Sequence, residues 1–163
     1  IACWSDAERL YGVSSHLLYA VARAESDLQP AAVNLTHRAR TGTYDIGLMQ
    51  INSSHLPKLA SLGISESDLL EPCTNIKVGA WLLADSFARR GVSWDAVGAY
   101  NAACTQLKGD DCAAARSRYA WRVYKRLPGE QAKSRSQQAA PANRTPSASQ
   151  APAPFILSVR VAR

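Results

Sequence analysis

The chain has 163 residues, 47% of them apolar, and a formal net charge of +6. That length allows one domain with a buried core, or a smaller domain followed by a tail; the longest apolar runs, such as 79–84, are far too short to cross a membrane. The charge is uneven. Lys133, Arg135, Arg144, Arg160 and Arg163 oppose only Glu130 in the last part of the chain, leaving an ordinary +2 on the body. A nucleic-acid partner is not indicated, and an anionic envelope surface suits the basic tail at least as well.

Ser5-Asp6-Ala7-Glu8 has the form of a capping box for a short first helix, which Gly12 stops. Ser14 or Ser15 caps a second helix, in which Leu18, Val21, Ala22 and Glu25 share one stripe. Pro30 forbids much continuation, so Glu25 falls in the last turn, among apolar neighbours and at the negative end of the dipole. Both oppose ionisation, and the carboxyl is expected to keep its proton near neutral pH, as a general acid must. The plainer expectation for a helix-end Glu is a solvated side chain.

Residues 31–43 are polar and irregular, with a turn at Thr41-Gly42-Thr43. For Tyr44 to Asn52 periodicity does not choose between strand and loop, and Gly47 within it points to a close backbone approach. A short helix is expected between Ser53 and Leu62, entered near Pro57, and another brief one from Ser65, halted before Pro72. Thr74 to Arg90 reads as a long helix, with Ile76, Ala80, Leu83 and Phe87 on one face and Gly91 at its end. Ser93 caps a helix running to about Ala103. Asp110 or Asp111 caps the last one, whose Tyr119 and Val123 pack while Arg116, Arg118, Arg122, Lys125 and Arg126 stay in water. Beyond Gly129 the composition turns to Ala, Ser, Gln and Pro, as in a disordered arm; Phe155 to Val161 alternates like a strand but reads as a frayed end.

Cys3, Cys73, Cys104 and Cys112 form an even set with no C-x-x-C, and His16, His37 and His55 are scattered, so zinc spacing is absent. Two disulfides in an oxidising compartment are expected, against free buried thiols as the alternative. Three pairings are open; the favoured one has Cys104 with Cys112 stapling a local loop, which would leave Cys3 to join Cys73. Beginning Ile1-Ala2-Cys3 without Met, the chain reads as a mature exported product. Phosphate loops, G-x-S-x-G, H-E-x-x-H and calcium-loop patterns do not occur.

Four segments carry the chemistry in order: Glu25-Ser26; Asp45-Ile46-Gly47-Leu48-Met49-Gln50-Ile51-Asn52; Cys73-Thr74-Asn75-Ile76-Lys77-Val78-Gly79-Ala80; and Gly98-Ala99-Tyr100-Asn101. From Cys3 to Leu127 this set resembles the lytic transglycosylases of the soluble-transglycosylase type, within the lysozyme-like superfamily. The small exported members that accompany type III secretion, conjugation and type IV pilus machines are the nearest in kind.

The resemblance implies an α+β, predominantly helical, lysozyme-like domain over 1–128, with the tail over 129–163 outside it. It implies cleavage of the bond between N-acetylmuramic acid and N-acetylglucosamine, with Glu25 first as acid and then as base on the muramic 6-hydroxyl, giving a 1,6-anhydro end. Gly47 and Met49 match the block whose backbone lies along the sugar. Ser26 belongs to the same substrate-binding set, and Gln50 and Asn52 would offer it their amides. Tyr100 matches the tyrosine that hydrogen-bonds the acid, with Asn101 in support. No cofactor and no metal are implied; the partners are glycan strands and an envelope-spanning apparatus, the location is the periplasm, and the chain acts as a monomer.

Asp45 departs from the single-acid pattern and resembles the lysozyme run in which a second carboxylate opens the block. Lysozyme divides two carboxylates between acid and nucleophile by environment, and by that resemblance Asp45 would stabilise the oxocarbenium-like transition state or act as nucleophile. A hydrolytic muramidase using Glu25 and Asp45 is therefore one alternative, and a non-catalytic glycan-binding assembly factor is another. The plain alternative for Asp45 is a turn residue bonding its own backbone.

Overall fold

Helix α1 spans Cys3–Tyr11 and α2 spans Ser15–Ser26, in a computed structural model that describes residues 3–129. The expected capping box does not form, because α1 begins two residues before Ser5. Gly12, at φ +68°, folds the chain back so that Glu8 reaches the next helix. Its carboxylate accepts the Ser15 N–H at 3.1 Å, while Ser14 makes no side-chain cap bond. Hydrogen bonding by Ser15, through its side chain first and its N–H second, holds the Glu8 carboxyl below its usual range. Helix α2 ends in two consecutive left-handed residues, Asp27 and Leu28, and Arg23 grips Asp27 at 2.8 Å across the end.

The segment that periodicity left open is a hairpin. Strands β1 (Val33–Asn34), β2 (Asp45–Ile46) and β3 (Ile51–Asn52) form an antiparallel sheet in that order, with Asp45 opposite Asn52 and Ile46 opposite Ile51. A helical turn, α3 (Arg38–Thr41), interrupts the supposedly irregular stretch between β1 and β2. Strands of two residues bury too little to stand alone. What fixes the hairpin is α5.

After a 3-10 turn at Ser53–His55 and the short α4 (Leu56–Ala60), a second 3-10 turn at Ser67–Leu70 leads into α5, Pro72–Arg90. Pro72 does not merely stop the preceding turn. It occupies the first helical position, where its missing N–H costs nothing, and Glu71 caps the helix by accepting from Cys73 and Thr74 N–H at 3.0 and 2.7 Å. Ile76, Ala80 and Leu83 are fully buried along its inner face, and a Cβ at Gly79 would collide with the Met49 sulfur, so the hairpin turn rests directly on this helix.

Helix α6 (Trp94–Asn101) is capped by Ser93, whose hydroxyl accepts the Ala96 N–H at 3.1 Å. Helix α7 (Gly109–Tyr124) begins at Gly109, one residue ahead of the expected Asp caps; Asp110 and Asp111 lie inside its first turn, where the dipole favours acids. Arg116 is not in water: its side chain is 12% exposed, donates to the Ala102 carbonyl at 3.1 Å and meets Asp95 at 3.3 Å. It thereby satisfies a carbonyl left over where α6 ends. Disulfides join Cys3 to Cys73, tying α1 to the start of α5, and Cys104 to Cys112, closing the loop before α7. The result is the predominantly helical, lysozyme-like α+β arrangement. Among the described residues no helix is long and apolar enough to cross a membrane. The expected tail, Phe155 to Val161 included, lies beyond Gly129 and so outside the described residues.

Candidate active site

Glu25 sits in the last turn of α2, its side chain 9% exposed, below the buried Leu18, Val21 and Ala22 of the same stripe. The Tyr119 hydroxyl of α7 donates to Glu25 Oε1, and Arg122, one turn further along α7, brings Nη2 to 3.9 Å from Oε2. Burial pushes the Glu25 carboxyl up to about 7, against the pull of the Tyr119 bond and the Arg122 charge, with the negative charge of Asp45 adding slightly. The group thus exchanges its proton close to neutrality.

The Gly47–Gln50 turn lies beside it and is fastened at nearly every polar atom. Ser26, next to Glu25, donates its hydroxyl to the Leu48 carbonyl at 2.6 Å. Tyr100 donates to the Met49 carbonyl at 2.9 Å. The fully buried Asn75 of α5 accepts the Met49 N–H at 2.7 Å and donates to the Ile46 and Leu69 carbonyls at 3.0 and 2.7 Å. This is the close approach that Gly47 signals, for a Cβ there would collide with Asn75 and the Leu69 carbonyl, and its φ of +78° disfavours any side chain.

The expected partner of Glu25 therefore changes. Tyr100 reaches the turn, and Tyr119, read from the sequence only as a packing residue, holds the acid. The two rings stack at 6.5 Å, so both hydroxyls belong to one buried aromatic pair. Burial and the nearby Glu25 charge keep both phenols protonated, well above their usual range. Arg122 stays partly in water as expected, its side chain 45% exposed, while its guanidinium carbon lies over the Tyr119 ring, 5.0 Å from the centroid. A pattern was there to find it, since positions three apart on a helix share a face.

Asp45, at the start of β2, accepts from Asn52 Nδ2 at 2.8 Å and faces His37 Nε2 at 3.6 Å, a neighbour the sequence did not single out. Asn52 spends its second amide donor on Thr43, and Gln50 donates to the Ala32 and Gly47 carbonyls. The amides expected to meet a sugar are thus engaged with the protein itself, and Met49 is fully buried. Asn101 is exposed at the end of α6. Glu25, Asp45, Tyr100, Tyr119 and Arg122 form one electrostatically coupled group. Among the described residues no cluster of His, Cys, Asp and Glu is placed to hold a metal ion. A cavity of about 460 Å³, lined by Trp94, Trp121 and Tyr124, lies on the side of α7 turned away from Glu25.

The model of the transglycosylase SLT domain matches residues 2–118. The chain is 43% identical over 138 residues to Invasion protein IagB of Salmonella typhimurium (strain LT2), covering 82% of each protein. It is 38% identical over 125 residues to Protein IpgF of Shigella flexneri, covering 76% of this chain and 78% of that protein. A Peptidoglycan-binding-like protein of Escherichia coli O157:H7 is 39% identical over 106 residues, covering 62% of this chain and 64% of its own.

Proposed function

The chain belongs to the transglycosylase SLT family, the peptidoglycan lytic transglycosylases, and from that premise we propose that Glu25 alone serves as acid and then base in the reaction. Glu25 gives its proton to the oxygen bridging N-acetylmuramic acid and N-acetylglucosamine as the bond to the anomeric carbon breaks. The muramic 6-hydroxyl then attacks that carbon and returns its proton to Glu25, leaving a 1,6-anhydro end. An intramolecular hydroxyl in place of water gains the entropy of proximity, so a single carboxyl suffices. The observation that carries this reading is the Glu25 carboxyl itself, lifted by burial to about 7 while the Tyr119 hydroxyl fixes its direction. A group half-loaded at neutral pH can both give and take a proton.

Asp45 supports a second reading, hydrolysis, because its charge reaches Glu25. Digestion of purified sacculi followed by mass spectrometry separates the two. Anhydro-muramyl ends are expected; reducing ends in their place would make the protein a hydrolytic muramidase. Glu25→Gln is expected to abolish sacculus clearing with the fold retained, and a Gln variant that cleared sacculi as well as wild type would remove Glu25 from the chemistry. Asp45→Asn, which removes a negative charge suited to stabilising the oxocarbenium-like transition state while leaving the proton transfers to Glu25, is expected to give a strong but incomplete loss.

In this reading the sugar lies between the end of α2 and the 45–52 hairpin, whose turn, Gly47 and Met49 included, is held by Ser26, Gln50 and Tyr100 through its backbone, with Asn52 on β3 and Asn101 at the exposed end of α6 as further substrate-binding candidates. Residues 1–128 form the catalytic domain and 129–163 a basic appendage. Two disulfides and a peptidoglycan substrate favour a location outside the cytoplasm, the periplasm in particular. The role we propose on the family resemblance is local opening of the wall for an envelope-spanning apparatus; the Salmonella relative is named an invasion protein.

A further inference from the structure

Arg122 is placed unlike a structural ion-pair partner. At 3.9 Å its nearest nitrogen is beyond hydrogen-bond reach of Glu25 Oε2, whereas a closed guanidinium–carboxylate fork sits at about 2.7–2.9 Å. Its side chain is 45% exposed where that of Glu25 is 9%, so the cation stands on the wet side of the acid. Its guanidinium carbon is held 5.0 Å over the centre of the Tyr119 ring, whose hydroxyl holds Glu25, a contact that positions the fork without using up its donors. A planar fork, pre-set and half in water beside the reacting group, is suited to a carboxylate arriving with the substrate.

We infer that Arg122 is the carboxylate-recognising residue of the cleft, binding an acidic group of the muramyl unit and, in doing so, giving up its hold on Glu25. The inference rests on the proposed role of Glu25. Muramic acid differs from glucosamine by a lactyl ether whose carboxyl is free in peptide-free strands. In stem-bearing strands that carboxyl is an amide and the stem brings carboxylates of its own; both sources present the same chemistry. Arg122 opposes protonation of Glu25, while Asp45 from β2 favours it and the Tyr119 hydroxyl, on the same helix as Arg122, opposes it too; Tyr100 from α6 remains neutral. When a substrate carboxylate neutralises Arg122, one of the two opposing influences is removed and the acid is loaded as the correct sugar arrives.

The test uses the full chain as wild type, Arg122→Gln and Arg122→Lys, on three substrates: peptide-free glycan, the same glycan with its lactyl carboxyls converted to methylamides, and stem-bearing sacculi. Arg122→Gln is expected to raise KM about tenfold or more wherever the recognised carboxylate is present. On the methylamide glycan wild type and variant should have the same KM, and Arg122→Lys should recover part of the loss. A loss confined to peptide-free glycan identifies the lactyl carboxyl, and one confined to sacculi identifies the stem. Equal losses on all three substrates, or none, would overturn the inference and leave Arg122 a support for Tyr119. Wild type inactive on every glycan would instead sink the role of Glu25.

Discussion

Replacing Tyr119 by Phe removes one hydrogen-bond donor from Glu25 and little else. The ring remains stacked on Tyr100 and under Arg122, and it is buried on all other sides. The lost bond favours the charged carboxylate, so without it Glu25 holds its proton more firmly than its present value of about 7. A hydrogen bond to a charged group contributes about 1.5–3 kcal/mol. At 1.36 kcal/mol for each pH unit, the carboxyl should move up by about one to two pH units. The assay is the pH dependence of kcat/KM on peptidoglycan fragments, whose alkaline limb reports loss of the proton the acid must donate. That limb should shift to higher pH by this amount in the variant, while kcat at the optimum falls because the carboxyl is no longer aimed. An alkaline limb that stays in place or moves down would refute the argument that Tyr119 sets the charge state of Glu25. Tyr100→Phe is the internal comparison, since its hydroxyl bonds Met49 and should leave the limb nearly unmoved.

The raised carboxyl has a cost in stability. Burial lifts Glu25 from 4.5 to about 7, so the folded chain keeps a proton that the unfolded chain has released between those values. The stability contributed by protonated Glu25 is complete below 4.5 and is lost as pH rises through 7, a difference of about 3 kcal/mol. Glu25→Gln, which cannot ionise, should therefore match wild type in urea titrations at about pH 4 and exceed it at about pH 8 by up to ~3 kcal/mol; a variant less stable than wild type at the higher pH contradicts this. Asn75→Ala strips partners from one N–H and two carbonyls in a buried site, at about 1–3 kcal/mol for each group, and thermal unfolding should show a loss of about 3 kcal/mol or more. A loss below about 1 kcal/mol would mean water replaces the amide. Removing Cys3–Cys73, which spans 70 residues, should cost roughly 4 kcal/mol against roughly 2.5 for Cys104–Cys112, which spans 8, as chain-entropy scaling requires. The reverse order in denaturant titrations of the two Cys-to-Ser pairs would exclude that explanation.

Much of the architecture was legible residue by residue. Ser93 caps α6, Gly91 ends α5, and Glu25 occupies the last turn of α2 on an apolar stripe, because caps, stops and stripes are decided by neighbours within about four positions. The hairpin was less legible, since two-residue strands leave no periodicity and depend on Asn75 of a later helix. Glu8 was read as capping its own helix and instead caps the next, because a tight turn carries it to Ser15. Arg116 was assigned to solvent because a helix pattern does not show where a neighbouring helix leaves a carbonyl exposed.

By itself the amino-acid sequence placed Glu25 in the last turn of a helix on an apolar stripe, favoured one of the three cysteine pairings and carried the family resemblance, all of it through spacing along the chain. Only the tertiary structure decided that Tyr119 and not Tyr100 holds Glu25, across 94 residues, and that Arg122 faces the acid and His37 faces Asp45. The physical reason is distance. A hydroxyl finds its acceptor within 3 Å or so, and which of two tyrosines on α6 and α7 meets that condition depends on how the helices cross over α2, which no local pattern encodes.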